Sequence, residues 1–416
     1  MVLAYIDPGT GSMLFTIIIG VVGAGIYSLR SLIIRLKTSG GKKAAVDEDT
    51  VPFAIFTDSK RYWNVFEPLC RRFEEKQQKL LYLTMSPDDP ALKEEYKYIK
   101  TEFIGEDNKA FARMNFLHAD IVISTTPGLD VFQWKRSKYV KKYVHVLHMP
   151  SDVTMYRMFG LDFYDAVLLS GEYQAAQIRT LESLRRLPAK ELEIVGIPYM
   201  DEMRKRLENE TVAENGQGTT ILLAPSWGAS GILKKYGSRM IDALLVTGFH
   251  VIIRPHPQSF VSEKEMIEAL MQKYPELEWN RDNDNFDVLR RADILISDFS
   301  GVIFDFALVF DKPVIYADTS YNKDVYDCYI LDEELWTFAT LPKIGAQVTE
   351  DNISHIRELI ETCLTDERYA EGRQQAREET WQHPGHGTER MTEYLLRMRE
   401  RLEEAVNTEE AGAVAE

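Results

Sequence analysis

The stretch Ala292-Asp-Ile-Leu-Ile-Ser-Asp-Phe-Ser-Gly-Val-Ile-Phe-Asp305 decides the fold of this chain. A short apolar run ends at Ser297, a polar turn follows, and a second apolar run opens near Ser300. The first run has the length and the flanking residues of a buried strand, and the second predicts the start of a helix. A strand that leads directly into a helix is the repeating unit of parallel sheets covered on both faces.

Comparable patterns lie on both sides of this stretch. Further short apolar runs predict strands, with helical periodicity between them. They lie at 53–56, 80–84, 120–124, 143–147, 166–169, 193–195, 220–224, 250–254 and 313–316. This alternation predicts an α/β fold made of two facing, Rossmann-like, doubly wound domains.

The domain bounds follow from changes in composition. We place the first Rossmann-like domain at 52–207 and the second at 220–375, with a polar, glycine-containing connection between them. A helical segment at 376–406 follows, and the small and acidic residues of 407–416 predict a disordered tail. Doubly wound domains bind ligands at the carboxyl ends of their strands, so the crevice between the two sheets is the expected site.

Length, charge and cysteine content limit the function. A chain of 416 residues is too long for one ordinary domain. The net charge of −16 argues against a nucleic-acid partner, because binding a phosphate backbone requires a basic surface. Cys70, Cys328 and Cys363 lie far apart, which fits a reducing compartment better than a disulfide framework or a metal site.

The N-terminal region has the pattern of a membrane anchor. Met13 to Leu29 contains no charged residue, and its 17 residues would rise about 25 Å as a helix. Basic residues such as Arg30 and Arg35 follow this run, whereas a secretory signal has them in front. The sequence predicts a single transmembrane helix within 1–37, a linker at 38–51 and, by the positive-inside rule, a body on the cytoplasmic side of the membrane. A buried core helix is the alternative interpretation.

Arg254-Pro-His-Pro257 comes directly after the strand predicted at 250–253. The prolines stiffen the backbone and prevent a helix from starting, so Arg254 and His256 project from a rigid turn. An arginine can bind phosphate oxygens with two parallel hydrogen bonds, and a histidine can donate a hydrogen bond or a proton at neutral pH. A rigid turn with an ordinary salt bridge is the alternative.

The helix that opens near Ser300 predicts a phosphate site. A helix N-terminus offers free backbone N–H groups, and a glycine at 301 lets a ligand approach them closely. Ser297, Asp298, Ser300 and Gly301 are therefore candidates for binding the phosphates of a donor, and Asp305 is a candidate for its ribose hydroxyls. Ordinary capping of the first helical turn by the same side chains is the alternative.

Two further strand ends carry polar residues. His148 follows the strand at 143–147 and would face Arg254 from the other domain, where it could take a proton from a hydroxyl group. A histidine with one backbone hydrogen bond is the alternative. Ser226, after the strand at 220–224, could contact a diphosphate. Asp282-Asn-Asp284 has a spacing that divalent metals use, but an acidic turn before a helix is the better interpretation, so a metal is possible without being supported.

These motifs together resemble the CDP-glycerol glycerophosphotransferase family of teichoic-acid polymerases and primases, whose two Rossmann-like domains form a GT-B-like fold. The resemblance spans 140–392. It is carried, in chain order, by His148, 163–173, 196–198, 224–227, 254–257, 297–305 and 387–390.

The resemblance implies that an acceptor hydroxyl attacks the glycerol-bearing phosphate of a CDP-linked donor, releasing CMP in the synthesis of a cell-envelope polymer or glycolipid. The first domain would be the acceptor side and the second the donor side. His148 would act as the general base, and Arg254 and His256 would stabilise the diphosphate. The implied partners are a nucleotide-diphosphate donor and a lipid-linked or membrane-held acceptor, with no cofactor beyond the donor itself.

The chain departs from the family pattern at three points. Met149 and Pro150 follow His148 where the family usually has a glycine, Gly301 stands where a second serine is usual, and the predicted anchor spans the membrane instead of lying on it. Two other functions therefore stay open. One is a nucleotide-sugar glycosyltransferase or sugar-nucleotide epimerase of the same fold, and the other is a membrane-tethered scaffold that has lost the enzymatic activity.

Overall fold

The computed structural model describes residues 50–209, 218–282, 284–318 and 320–415. The anchor predicted at 1–37 lies outside these ranges, as does nearly all of the linker predicted at 38–51. Within the described ranges, no helix has both the length and the apolar character needed to cross a membrane.

The first half of the described chain forms a sheet of seven parallel strands. Its spatial order is β3-β2-β1-β4-β5-β6-β7. The strands are β1 (Val51–Thr57), β2 (Leu80–Thr84), β3 (Ile99–Phe103), β4 (Ala119–Ser124), β5 (Val140–Val146), β6 (Ala166–Leu169) and β7 (Glu191–Ile194). The strands of its interior are buried on both faces, which is why they read as continuous apolar runs in the sequence.

The second half forms a sheet of six parallel strands with the order β10-β9-β8-β11-β12-β13. The strands are β8 (Thr220–Leu223), β9 (His250–Ile253), β10 (Glu278–Trp279), β11 (Ile294–Ser297), β12 (Val314–Ala317) and β13 (Gly345–Val348). The two parallel sheets confirm the α/β prediction. In each sheet the strand order reverses direction once, between β1 and β4 and between β8 and β11, and such a switch point opens a crevice at the carboxyl ends of the strands.

The helices connect the strands on both faces of the sheets. Those of the first half are α1 (Trp63–Glu75), α2 (Asp107–Met114), α3 (Glu172–Arg185) and α4 (Pro198–Asn209). Those of the second half are α5 (Ile232–Tyr236), α6 (Ser238–Leu245), α7 (Ser259–Ser262), α8 (Lys264–Lys273), α9 (Phe286–Arg291), α10 (Val302–Phe304), α11 (Trp336–Ile344), α12 (Ile356–Thr365), α13 (Arg368–Thr380) and α14 (Gly387–Ala415). A π-helical turn at Asp305–Val309 continues α10, and short 3-10 turns lie at Lys60–Tyr62, Pro90–Lys93, Val153–Met155, Asp327–Ile330 and Ile353–His355.

Three strands, β3, β10 and β13, were not predicted from the sequence. Each lies at an edge of its sheet and pairs with a single neighbour. An edge strand is short and partly solvated, so it lacks the continuous apolar run that identifies the interior strands. In β3, for example, the sequence Ile-Lys-Thr-Glu-Phe carries charged side chains on the exposed face.

The C-terminal helices return from the second half to the first. The indole nitrogen of Trp381 donates a hydrogen bond to Asp201 of α4 at 2.9 Å. Within α14, a guanidinium nitrogen of Arg401 donates to Glu191 of β7 at 2.6 Å. These contacts tie the helical segment predicted at 376–406 to the first sheet.

The structure differs from the prediction of a disordered tail at 407–416, because α14 continues to Ala415. The residues after 406 are mainly alanine and glutamate and include no proline. Both residue types have high intrinsic helix propensity, so a helix that is already nucleated by its packing can extend through them.

Candidate functional site

A cavity of about 470 Å³ lies at the carboxyl ends of the strands, between the two sheets. Both halves of the chain contribute to its wall. The first half supplies residues that follow β1 and β5 and the start of α4, and the second half supplies residues that follow β8, β9 and β11. Its principal polar lining residues are Arg61, Tyr62, His148, Tyr199, Ser226, Arg254, His256, Asn285, Ser300 and Asp305.

His148 lies in the wall contributed by the first half, two residues beyond β5. Its Nδ1 atom is 3.0 Å from the hydroxyl of Thr125 and 3.4 Å from that of Tyr156. The Tyr62 ring packs against the imidazole with 5.0 Å between ring centroids. Burial, and then the positive charge of Arg61, lower the pKa of His148 to about 4. The ring is therefore neutral at neutral pH, which is the protonation state a general base requires.

His256 faces the cavity from the second half. Its Nδ1 atom accepts a hydrogen bond of 3.1 Å from the backbone N–H of Gln258. Because Nδ1 is the acceptor, the neutral ring carries its hydrogen on Nε2, which makes Nε2 a donor. Burial lowers the pKa of His256 to about 4, and the charges of Arg61 and Arg254 act in the same direction. His256 can therefore donate a hydrogen bond to a phosphate oxygen without being charged.

Arg254 is held in place from behind by the segment that follows β10. One guanidinium nitrogen donates to the side-chain oxygen of Asn280, and Nη2 donates to the backbone carbonyl of Asp282 at 2.8 Å. The remaining N–H groups stay available to a ligand in the cavity that this side chain lines. Asp282, predicted as a possible metal ligand, thus contributes its backbone oxygen to an arginine.

The carboxylate of Asp284, the other acidic residue of that turn, pairs with Arg206. Over the part of the chain that the structure describes, no group of three or more His, Cys, Asp or Glu side chains is arranged to hold a metal ion.

Ser300 and Gly301 lie at the start of α10 and line the cavity, as the phosphate-site prediction requires. Gly301 has an ordinary right-handed helical conformation, so the reason for a glycine here is space and not backbone strain. A Cβ atom added at 301 would lie 2.7 Å from the sulfur of Met149, which reaches across from the first half. The two departures from the family pattern, Met149 and Gly301, are therefore in contact with each other.

Ser297 and Asp298 do not line the cavity and have structural partners. The buried hydroxyl of Ser297 donates to the backbone oxygen of Ala224 at 2.5 Å. The buried carboxylate of Asp298 accepts hydrogen bonds from the backbone N–H of Ser226 and Ile232. These contacts connect the end of β11 to the loop after β8, and both side chains lie behind the cavity wall.

Ser226 and its neighbour Trp227 do line the cavity, although the Ser226 hydroxyl donates to Asp298 at 2.6 Å. The Trp227 side chain is 47 % exposed and approaches His256 with 6.4 Å between ring centroids. A large exposed aromatic ring at the edge of a cavity is available to stack on a ligand.

Asp305 also lines the cavity, but its carboxylate is already engaged by the first half. It accepts a hydrogen bond of 2.6 Å from the hydroxyl of Tyr199, and the side-chain amide of Asn285 is 3.4 Å away. Burial raises the pKa of Asp305 to about 6, although both hydrogen bonds act against that shift. The Tyr199–Asp305 contact joins the two halves beside the site.

Arg61, Tyr62 and Tyr199 belong to the cavity wall but were missed in the sequence. Arg61 and Tyr62 come shortly after β1, which borders the switch point of the first sheet. The rule that ligands bind beyond such strands would have indicated them, but the helical periodicity between the strands predicted at 53–56 and 80–84 indicated only a helix. Tyr199 comes directly after Gly196-Ile-Pro198, one of the motifs that carry the family resemblance. That motif could have indicated Tyr199 as a site residue.

Comparisons with known proteins concern the family and the fold of the chain. A family model described as CDP-Glycerol:Poly(glycerophosphate) glycerophosphotransferase matches residues 42–397. No curated protein is similar enough in sequence to count as a match.

Two solved structures show how widely the fold is shared. That of the wall teichoic acid polymerase TagF has a TM-score of 0.56 and 14% sequence identity, covering 91% of this chain and 98% of that one. The UDP-GlcNAc 2-epimerase from Neisseria meningitidis, solved bound to UDP-GlcNAc, has a TM-score of 0.51 and 13% identity, covering 83% of this chain and 99% of the other. At such low identity these likenesses concern the fold alone.

Proposed function

Because this chain belongs to the CDP-glycerol:poly(glycerophosphate) glycerophosphotransferase family, we propose that it transfers glycerol phosphate, or a related polyol phosphate, from a CDP-linked donor to an acceptor hydroxyl. The observation that carries the proposal is the meeting of His148 from one half with Arg254, His256 and the start of α10 from the other, around one cavity. Each side supplies a different part of the chemistry.

On the donor side, the proposed ligand is the diphosphate. Its oxygens would accept hydrogen bonds from the guanidinium of Arg254, from Nε2 of His256 and from the backbone N–H groups at Ser300 and Gly301. As the bond between the two phosphates breaks, negative charge grows on the departing CMP. Donors that are already in place when this charge develops give the largest stabilisation, because they need no reorganisation.

On the acceptor side, the proposed role of His148 is to remove the hydroxyl proton. The acceptor oxygen forms a bond to the glycerol-bearing phosphorus, the bond from that phosphorus to the oxygen of CMP breaks, and the proton passes to the neutral imidazole. The proton returns to solvent after CMP leaves. Positioning and charge stabilisation therefore carry the reaction, and no covalent enzyme intermediate is required.

The acceptor is proposed to be lipid-linked or otherwise held at a membrane. This proposal rests on the sequence alone. The uncharged run from Met13 to Leu29 and the basic residues that follow it have the pattern of a cytoplasmic-membrane anchor. An enzyme tethered in this way would meet a membrane-held hydroxyl at high effective concentration.

A second candidate is a nucleotide-sugar enzyme, such as a glycosyltransferase or an epimerase. The observation in its favour is that a UDP-GlcNAc 2-epimerase shares this fold over most of its length. The two candidates differ in the nucleotide that is released. A glycerophosphotransferase would release CMP from its CDP-linked donor, and a glycosyltransferase would release UDP. An epimerase would leave the nucleotide diphosphate of its substrate intact or release it as UDP.

The test is to incubate the chain with CDP-glycerol, CDP-ribitol or UDP-sugars, each together with a synthetic lipid that ends in glycerol phosphate as acceptor, and to measure the nucleotide released. We expect CMP from a CDP-linked polyol and no UDP. His148→Ala should lower kcat at least about 100-fold while leaving donor affinity nearly unchanged, since general-base catalysis contributes about that much or more. His355→Ala, at an exposed histidine paired with Glu358, is the matched control. UDP release, or no turnover of any donor by a folded protein, would contradict the proposal.

A further inference from the structure

Behind His148 lies a second histidine that the proposed reaction does not use. His145 is the sixth residue of β5 and is 0 % exposed. Its Nε2 atom lies 3.1 Å from the hydroxyl oxygen of Tyr156, and that oxygen is 3.4 Å from Nδ1 of His148. The three side chains therefore form a continuous line from the core of the first sheet to the cavity.

We propose that His145 and Tyr156 are positioning residues that fix the ring orientation and the tautomer of His148. This inference rests on the proposed function, in which His148 is the base. A base needs a free electron pair on the nitrogen that faces the substrate. Because Nδ1 of His148 faces Tyr156 and Thr125, the electron pair must be on Nε2, and Nδ1 must carry the hydrogen.

The direction of the hydrogen bonds then follows from the number of hydrogens. Nδ1–H of His148 donates to the hydroxyl oxygens beside it, those of Thr125 and Tyr156. Tyr156 has one hydrogen, and it donates this hydrogen to Nε2 of His145, the closer of its two imidazole neighbours. His145 keeps its own hydrogen on Nδ1, a buried atom with no hydrogen-bond partner in the described part of the chain.

Burial keeps His145 and Tyr156 neutral, so they orient His148 through hydrogen bonds alone. Burial lowers the pKa of His145 well below that of a free histidine, and the neighbouring His148 acts in the same direction. The pKa of the Tyr156 hydroxyl is raised by burial and by Tyr62. The charged forms of both groups are disfavoured, so His145 and Tyr156 act on His148 through hydrogen bonds and not through a charge.

The backbone around Tyr156 is fixed by the second half of the chain. The N–H of Asp327 donates to the carbonyl oxygen of Tyr156 at 2.9 Å, and the N–H of Met158 donates to Val325 at 3.0 Å. The Asp327 carboxylate also accepts from the N–H of Phe159 at 2.9 Å. The residue that orients the base is thus held where the two halves meet.

The first test needs no variant. Nitrogen-15 NMR of the histidine rings in the full chain distinguishes the two neutral tautomers, and we expect the hydrogen of His148 on Nδ1 at neutral pH. A hydrogen on Nε2 in the free protein would overturn the inference, because the line would then run in the opposite direction. The proposed function would not depend on that outcome alone, since substrate could still change the tautomer.

The second test compares Tyr156→Phe with Tyr164→Phe. Tyr164 is a buried tyrosine whose hydroxyl donates to Thr126 at 2.5 Å and whose ring packs on His145 at 4.9 Å, but it does not touch His148. With CDP-glycerol as donor and a synthetic lipid that ends in glycerol phosphate as acceptor, we expect Tyr156→Phe to lower kcat about tenfold, as for loss of one positioned hydrogen bond. The donor KM should change less than about twofold.

The outcomes separate the two proposals. If Tyr156→Phe and Tyr164→Phe lower kcat equally, the effect is one of packing and the positioning role is wrong. If Tyr156→Phe retains full activity while His148→Ala is inactive, the inference fails and the proposed function stands. If His148→Ala is itself active, the base assignment fails first.

Discussion

Gly301→Ser is the substitution whose effect the structure defines best. It restores the serine that is usual in the family and leaves the helical backbone unchanged, since φ at 301 is −55°. The new Cβ atom would lie 2.7 Å from the sulfur of Met149 and 3.4 Å from its Cβ atom. Met149 must therefore move, or the two halves of the chain must separate slightly.

The expected cost follows from that geometry. Adding atoms to a packed site typically costs about 1–3 kcal/mol. A methionine is flexible and can rotate out of the way, so the cost should fall near the lower end, about 1 kcal/mol, or about a fivefold loss if it appears in donor affinity. In the Met149→Ala background the same substitution should cost close to nothing. The coupling between the two positions is then about 1 kcal/mol.

The assay is a double-mutant cycle with two readouts, urea unfolding and the Kd for CDP-glycerol. Gly301→Ala is the matched control, because it adds the same Cβ atom without a hydroxyl. The alanine and serine variants should share the steric cost in the wild-type background. In the Met149→Ala background only the serine variant should bind the donor more tightly, by a hydrogen bond to phosphate.

Additive effects of the two substitutions would refute this reasoning, since residues that compete for the same space must be coupled. So would an equal gain in donor affinity from serine and alanine, because the gain is attributed to the hydroxyl.

Three further predictions concern charge and hydrogen bonding. Because the pKa of His148 is about 4, kcat/KM should fall below about pH 4 and stay constant through neutral pH. Arg61→Ala should move this fall to higher pH, because loss of the positive charge favours the imidazolium. A pH profile that does not move in this variant would contradict the assignment of His148 as the base. The pKa of Asp305 is about 6 in the folded protein against an ordinary value of 3.8, so the folded state binds the proton more tightly than the unfolded state. The free energy of unfolding should therefore fall by roughly 1–3 kcal/mol as the pH rises from 4 to 6. Urea unfolding should show this decrease in the wild type and not in Asp305→Asn. Ser297→Ala should lower the free energy of unfolding by about 1–2 kcal/mol, because the hydrogen bond to Ala224 is lost. The Kd for CDP-glycerol should change less than about twofold. A large loss of donor affinity at unchanged stability would show that the hydroxyl binds the donor.

Much of the fold was predictable because buried parallel strands leave a direct trace in the sequence. Runs such as Ile294–Ile296 in β11 are apolar throughout, since both of their faces are covered. The edge strands β3, β10 and β13 leave no such trace, and neither does the extension of α14 to Ala415, which depends on the helix already being packed.

The candidate site was predicted less evenly than the fold. Arg254, His256, Ser300 and His148 line one cavity, because each of them follows the carboxyl end of a strand and parallel strands bring such ends together. Spacing along the chain could not separate these residues from Ser297, which ends a strand but whose hydroxyl donates to the backbone oxygen of Ala224 and not into the cavity.

The sequence by itself therefore determined the two parallel sheets, the order of the motifs and the edge of each sheet at which ligand-binding residues collect. Apolar periodicity and the position of a strand end depend on consecutive residues, so the sequence alone predicts them. The tertiary structure decided what each polar group faces. Only the meeting of the two halves places Met149 against Gly301 and Tyr199 against Asp305. Folding within the first half places Tyr156 between His145 and His148. The partners in the first two pairs are distant in sequence, and the last three residues lie on a strand, a loop and a turn. Tertiary packing alone brings each set into contact.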